Sequence, residues 1–129
     1  SDLTVSASLT SINLQDNRLG DKGVQHIANG ISASTSLTHI NLTNNNISSE
    51  GAKHIAKGIR VSKALTRIYL NRNRICVQGV KHLAEGFAVS PSLMHIDLSN
   101  NEVGPEGPNH IAKDIVASAL LTTIGLGGN

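Results

Sequence analysis

Leu37-Thr-His-Ile-Asn-Leu-Thr-Asn-Asn-Asn-Ile47 is the stretch that decides the fold of this 129-residue chain. It follows the pattern L-x-x-I-x-L-x-x-N-x-I. Related strings begin at Leu9, Leu65, Leu93 and Leu121, and each start lies 28 residues after the previous one. A fixed period in this range predicts a solenoid, in which every unit buries its apolar side against its neighbours.

The period also sets the expected repeat boundaries. Four full repeats cover residues 9–36, 37–64, 65–92 and 93–120, with partial repeats over 1–8 and 121–129. No sequence is left for the polar-faced terminal repeats that solenoids normally need. We therefore expect residues 1–129 to be a single domain taken from a longer array, with uncapped ends that self-associate through sheet edges. A complete small protein or a designed array is the alternative.

Each repeat combines two hydrophobic periods. In residues 65–92, Ile68 and Leu70 alternate with polar neighbours, which predicts a short strand with one buried face. The second half predicts a helix, in the first repeat over about Asp21 to Ala33 with Asp21 as N-cap. Pro108 is tolerated only in the first turn of a helix and so marks a helix start.

The helices carry apolar stripes at positions i, i+3, i+4 and i+7. In repeat order they are Val24, Ile27, Ala28 and Ile31; Ala52, Ile55, Ala56 and Ile59; Val80, Leu83, Ala84 and Phe87; and Pro108, Ile111, Ala112 and Ile115. Glycines recur inside the first three helices, at Gly30, Gly58 and Gly86. Because glycine weakens a helix, its recurrence there predicts close approach to a neighbouring element.

Alternating strands and helices at one period predict an α/β solenoid. Parallel strands stack about 4.8 Å apart, whereas packed helices need about 8–10 Å. This mismatch bends the array into a horseshoe, with a parallel β-sheet on the concave face and α-helices on the convex face.

The same polar residue recurs in every repeat, in the turn after the strand, at a position that we expect to be buried. Its residues are Asn17, Asn45, Asn73, Asn101 and Asn129. An amide can both donate and accept hydrogen bonds, so it can satisfy the loop backbone of its own and the adjacent coil. We expect a stacked asparagine ladder that stabilises the fold.

The whole 28-residue unit resembles the ribonuclease-inhibitor-like class of leucine-rich repeats, as found in ribonuclease inhibitors, NOD-like receptors and Ran GTPase-activating proteins. The matching glycines before the helical segment are Gly23, Gly51, Gly79 and Gly107. The resemblance implies a horseshoe whose concave face and loops bind other macromolecules. Ribonuclease inhibitors alternate two repeat types and are rich in cysteine, whereas this chain has one repeat type and one cysteine. Ribonuclease inhibition is therefore not expected.

Composition excludes several classes of partner. Eleven basic and nine acidic side chains give a formal charge of +2, which predicts neither nucleic-acid nor membrane binding. No apolar run is long enough to span a membrane. The single cysteine, Cys76, rules out an internal disulfide framework and favours a reducing compartment, so a cytoplasmic location is expected.

No catalytic, metal or cofactor site is predicted. The helical histidines His26, His54, His82 and His110 form one column, meaning equivalent positions of successive repeats. Helices about 8–10 Å apart cannot bring these rings around one ion. Cys76 has no histidine and asparagine placed to make it a nucleophile. We therefore expect that the protein is not an enzyme.

The strand residues that point away from the core are the best candidates for partner binding, because they vary between repeats while the buried columns stay nearly constant. Tyrosine and arginine are enriched at the centres of protein interfaces. The candidate contact residues on the concave face are Arg67, Tyr69, Asn71, Arg72, His39, Asn41, His95 and Asp97. An ordinary solvated polar sheet face is the alternative.

These features predict a protein–protein interaction module that binds a protein partner on its concave face, as part of a larger scaffold, receptor or effector. One alternative is a regulator of a small GTPase, for which Arg18, Arg74 and Glu102 are the charged loop candidates. An engineered or purely structural array is the other.

Overall fold

The computed structural model describes residues 9–118 and 121–129, in which strands and helices alternate strictly. The elements are β1 (Ser11–Asn13), α1 (Gly20–Ala33), β2 (His39–Asn41), α2 (Ser49–Val61), β3 (Arg67–Tyr69), α3 (Val77–Val89), β4 (His95–Asp97), α4 (Gly107–Ala117) and β5 (Thr123–Gly125). The predicted partial repeat over residues 1–8 lies outside the described residues.

The sheet register reproduces the sequence period. The strands pair in parallel in the order β1 to β5. Ile12, Ile40, Ile68, Ile96 and Ile124 lie directly opposite one another along the sheet, each 28 residues from the next. The helices pack in the same order, α1 on α2, α2 on α3 and α3 on α4. The predicted α/β solenoid, with its sheet on the concave face and its helices on the convex face, is confirmed.

The core is the space between sheet and helices. In the second repeat, Leu37, Ile40, Leu42 and Ile47 are each no more than 1% exposed. Full burial of such a side chain contributes about 1.5–3 kcal/mol. The corresponding residues of the outermost strands are only partly buried, namely Leu9, Ile12, Leu14, Leu121, Ile124 and Leu126.

Two helical glycines lie where helices touch. A Cβ atom on Gly58 would stand 3.1 Å from the carbonyl oxygen of Ala28, and one on Gly86 would stand 3.1 Å from that of Ala56. The predicted close approach is confirmed at both positions. The apolar stripes of α2 and α3 are likewise buried.

The predicted stripe of the fourth helix is only partly correct. Ile111 is buried, but Pro108 and Ala112 are exposed. No described helix packs on the far side of α4, so those positions have nothing to cover them. Pro108 does lie in the first turn of α4, as predicted.

Asp21 is not the N-cap of α1, so that prediction was wrong. The cap position is Leu19, which has helical dihedral angles and makes no side-chain cap bond. The Asp21 carboxylate instead accepts a hydrogen bond from the backbone N–H of Ser48, at 2.8 Å, and another from the Ser48 hydroxyl. Because Ser48 is the N-cap of α2, Asp21 braces the helix start of the following repeat.

The asparagine column links successive coils. Asn45 Oδ1 accepts from the backbone N–H groups of Asn17, at 3.0 Å, and Leu19, at 3.3 Å. Its Nδ2 donates to the carbonyl oxygens of Leu14, at 2.8 Å, and Thr43, at 3.2 Å. Comparable bonds are made by Asn73, Asn101 and Asn129.

Candidate functional site

Six of the eight candidate contact residues form two rows across β2, β3 and β4. In the sheet register the first row is His39, Arg67 and His95, and the second is Asn41, Tyr69 and Asp97. Because parallel strands stand about 4.8 Å apart, the side chains within a row are neighbours. Asn71 and Arg72 follow Tyr69 beyond the end of β3.

An aromatic pair joins the two rows. The ring centroids of Tyr69 and His95 are 5.3 Å apart and the ring planes are tilted by 53°. This geometry lies within the range in which aromatic pairs attract one another. His95 Nδ1 also forms a hydrogen bond with the Thr123 hydroxyl. Contacts on both sides therefore hold His95 in place.

The charge state of His95 depends on this setting. Partial burial lowers the pKa of His95 below its ordinary value of 6.5, and the positive charge of Arg67 lowers that pKa further. The carboxylate of Asp97 acts in the opposite direction. The lowering of the pKa by burial and by Arg67 exceeds the raising by Asp97. The neutral imidazole is therefore favoured more than in an ordinary histidine.

Tyr69 departs from a structural pattern that its column otherwise follows. At three equivalent positions the side-chain oxygen accepts a hydrogen bond from the backbone N–H two residues later. The acceptors are Asn13, Asn41 and Asp97, and the donors are Gln15, Thr43 and Ser99 respectively. Such bonds stabilise the turn that ends the strand. Asn41 and Asp97 therefore have a structural role, whereas Tyr69 cannot make this bond.

Arg72 departs from a second pattern. Its column consists of Asp16, Asn44, Arg72, Asn100 and Gly128, and all five have left-handed φ angles between 54° and 74°. Asparagine, aspartate and glycine tolerate this conformation, but an arginine there is strained by about 1 kcal/mol. The composition of this column is set by the backbone. The sequence shows that this column varies between repeats but does not reveal the backbone constraint on it.

Asn71 is engaged within the sheet face. Its Oδ1 accepts a hydrogen bond of 2.8 Å from the Thr43 hydroxyl, and its carbonyl oxygen accepts one of 3.0 Å from the Asn44 backbone N–H. Its side-chain amide thus binds a neighbouring repeat. Of the set, Arg67 and Arg72 are exposed and the others are half-buried.

A profile of the leucine-rich repeat matches residues 5–28, 33–56 and 89–107, more than half of the chain. The chain belongs to the leucine-rich repeat family. Stacked repeats present an extended concave binding surface. Membership therefore supports the prediction of a binding domain that is not an enzyme. A search among curated proteins finds no significant match.

Solved structures share the leucine-rich repeat fold. Leiomodin-1 actin-binding site 2 superposes with a TM-score of 0.91 and 17% identity, over 97% of this chain and 75% of that one. The tropomodulin C-terminal domain of Caenorhabditis elegans gives a TM-score of 0.86 and 16% identity, over 97% and 78%. At these identities the likeness shows the fold.

Met94 is an exposed apolar residue next to β4 that sequence reasoning did not single out. It is 44% exposed and directly precedes His95. Its column is otherwise threonine, and Thr38, Thr66 and Thr122 each donate a side-chain hydrogen bond to the carbonyl of the preceding member. Met94 interrupts this ladder, and that departure from threonine was the available signal.

The residues considered for catalysis or metal binding lie in helices or loops and not on the strands. Cys76 is exposed at the N-cap of α3 and makes no side-chain cap bond. His54 lies 3.9 Å from Glu50 one helical turn earlier. Among the described residues no group of three or more His, Cys, Asp or Glu side chains could hold a metal ion. Arg18, Arg74 and Glu102 are exposed in the loops after β1, β3 and β4.

Two of the open clefts in the described leucine-rich repeats contain no candidate contact residue. One, of about 510 Å³, lies between the ends of α1 and α2 and includes Thr38 and Val61. The other, of about 300 Å³, is lined by Asp16, Arg18, Asn44 and Asn46. Small-molecule sites are enclosed, so the open sheet face suits a macromolecule better. Within residues 9–118 and 121–129, no helix combines the length and apolarity needed to cross a membrane.

Proposed function

We propose that the chain is a protein-interaction module that receives a protein partner on its concave face. The contact is centred on Tyr69 and Arg67, with His39, His95 and Arg72 around them. Asn41, Asn71 and Asp97 complete the surface and also stabilise it. The repeat is of the ribonuclease-inhibitor-like class, and the module acts in the cytoplasm.

The observation that carries this proposal is the position of Tyr69. Three equivalent residues use an amide or carboxylate to hold the turn after the strand. Tyr69 gives up that bond and presents a half-buried aromatic ring against His95 instead. A rigid aromatic side chain beside an exposed arginine has the composition of an interface centre. Partner binding accounts for a residue that the repeat itself does not require.

Actin is the first partner to test, because leiomodin-1, whose fold is similar, is represented by an actin-binding site. The open sheet face, with its central tyrosine and arginine, favours a protein partner over a small ligand. The proposal of a protein-binding module does not depend on actin being that partner.

The test compares three forms of the chain. Tyr69→Asn restores the residue type found at Asn13 and Asn41, so folding should be retained. Lys53→Gln and Lys57→Asn, on the convex face, supply a control, because the first repeat has Gln25 and Asn29 at those positions. Purified actin and a cell extract are each offered to the immobilised proteins, and retained proteins are identified by mass spectrometry.

We expect a protein that is retained by the wild type and by the convex control and lost by Tyr69→Asn. Truncating a central interface aromatic typically costs 2 kcal/mol or more, which is roughly a thirtyfold loss of affinity. Equal retention by Tyr69→Asn would refute the concave-face contact. Loss through the convex control alone would assign binding to the helices.

A further inference from the structure

Three arginines lie on β3 and the loop that follows it: Arg67, Arg72 and Arg74. We call them the basic row. All three are exposed. The ion pair found among residues 9–118 and 121–129 joins His54 and Glu50, so within that part of the chain the three guanidinium groups have no carboxylate partner. Three arginines on one strand and its following loop, without an ion-pair partner among the described residues, make this part of the surface positively charged.

The repeat fold does not require arginine at any of these positions. Residues equivalent to Arg67 are Ser11, His39, His95 and Thr123, and those equivalent to Arg74 are Arg18, Asn46 and Glu102. Arg72 is disfavoured by its own backbone, with φ of 59°. Strained residues persist where a function compensates for the strain. The basic row therefore needs an explanation other than stability.

The acidic groups beside the basic row do not neutralise it. Asp97 lies on the neighbouring strand, and its Oδ1 accepts a hydrogen bond of 2.9 Å from the Ser99 backbone N–H. Glu102 lies on the next loop, which pairs with the loop of the basic row through Cys76. The three guanidinium groups outnumber the two carboxylates on the neighbouring strand and loop, so an excess of positive charge remains.

No lysine lies on a described strand or in the loop that follows one, whereas only Arg60 of the five arginines lies in a helix. The six lysines lie within or directly after the helices, at Lys22, Lys53, Lys57, Lys63, Lys81 and Lys113. The basic row contains arginine alone. Arginine, unlike lysine, offers a planar fork of donors that matches a carboxylate at two points. The choice of residue favours specific pairing over general positive charge.

We propose that the basic row binds a carboxylate-bearing segment of the protein partner, an acidic stretch that lies along β3 and the following loop. This inference rests on the proposed function and specifies the chemistry of the partner. Arg67 and Arg72 would each receive a glutamate or aspartate side chain on either side of Tyr69. Arg74 would extend the contact onto the loop edge.

The direct test uses the side-chain Nε–Hε NMR signals of the five arginines during titration with a short oligoglutamate peptide. We expect the signals of Arg67, Arg72 and Arg74 to shift and saturate together, and those of Arg18 and Arg60 to stay in place. Added salt should weaken binding, because exposed charge pairs are screened. Equal shifts at all five arginines would overturn the proposal. So would tighter binding of a phosphopeptide of equal length, which would assign the row to phosphate.

Repeat-matched variants separate this inference from the proposed function. Arg67→Ser, Arg72→Asn and Arg74→Asn introduce residues that occur at equivalent positions, so the triple variant should fold. Lys53→Gln, Lys57→Asn and Lys81→Gln remove the same charge from the convex face. We expect the first triple variant to bind oligoglutamate roughly tenfold more weakly or worse, and the control to match the wild type.

The same variants also test both proposals with the natural partner. A partner that is lost by Tyr69→Asn but retained by the arginine variant would overturn the acidic-segment inference and leave the concave-face module in place. A partner retained by both would overturn both proposals. Loss by both variants, with retention by the lysine control, is the result we expect.

Discussion

The ring of Tyr69 lies 5.3 Å from the ring of His95, and this contact couples β3 to β4 on the face that we propose as the binding surface. Asparagine or aspartate at the equivalent positions binds the local backbone instead. The pair thus replaces a bond within one repeat by a contact between two repeats. The groups around His95 also lower the pKa of its imidazole, so we expect the stability of the protein to depend on pH.

Acidification should destabilise the protein through His95. Burial and Arg67 hold its folded-state pKa below the ordinary 6.5. Between that folded pKa and 6.5 the unfolded chain binds more protons, so the free energy of unfolding decreases as the pH falls through this window. Urea denaturation across the window should show this slope.

Two neighbouring substitutions test the assignment of that slope to His95. Arg67→Ser removes a positive charge and should make the pH dependence shallower, whereas Asp97→Asn removes a negative charge and should make it steeper. Asparagine at position 97 keeps the side-chain oxygen that binds the Ser99 N–H. If neither substitution changes the pH dependence of the free energy of unfolding, that dependence arises from a group other than His95.

Asn73→Ala should strongly destabilise the fold. Asn73 is 7% exposed, accepts hydrogen bonds from the Asn45 and Ile47 backbone N–H groups and donates to the Leu42 and Leu70 carbonyls. Several buried backbone groups would lose their partner, at a cost of about 2–4 kcal/mol. Equilibrium denaturation measures the loss. Asn17→Ala, at the exposed member of the ladder, should cost clearly less.

Arg72→Asn should increase stability while weakening partner binding. The left-handed φ of 59° suits asparagine better than arginine, so we expect a gain of about 0.5–1 kcal/mol. The reverse substitution, Asn100→Arg, places arginine in the same conformation, with φ of 57°. It should cost a similar amount. If both changes leave the denaturation midpoint unaltered, backbone strain does not explain this column.

Cys76→Ser should stabilise the start of α3. The equivalent Ser48 accepts a hydrogen bond from the Glu50 N–H and caps α2, whereas Cys76 makes no cap bond. A serine cap contributes about 0.5–1 kcal/mol. Ser48→Cys should lose a comparable amount or more, because the Ser48 hydroxyl also binds Asp21. Thermal denaturation of the two variants should therefore shift in opposite directions.

The sequence predicts the fold well because the period of 28 residues is also the register of the sheet. Ile40 pairs with Ile12 and Ile68 for the same reason that the three align in sequence. The role of Asp21 could not be found in this way, since its partner Ser48 belongs to the next repeat and depends on loop geometry. The sequence rule predicts that Asp21 caps α1, whereas in the structure Asp21 supports the start of α2.

The sequence predicts which residues form the candidate surface, but it does not distinguish the residues that stabilise the surface from those that are free to bind a partner. Asn41, Tyr69 and Asp97 all occupy a position that varies between repeats, so the sequence treats them alike. In the structure, however, Asn41 and Asp97 stabilise the turn after their strand and Tyr69 does not. Only the backbone hydrogen bonds separate these roles. Similarly, the position of Arg72 varies in sequence, but its left-handed φ angle restricts which residues it accepts without strain.

The most direct test of the account is photocrosslinking from the position of Tyr69. Tyr69 and, in a separate protein, convex Lys57 are replaced by p-benzoylphenylalanine, and each protein is irradiated in cell extract. We predict that one protein crosslinks to position 69 and not to position 57, and that excess unlabelled wild type suppresses this product. A product formed from position 57 alone, or equally from both positions, would contradict binding on the concave face.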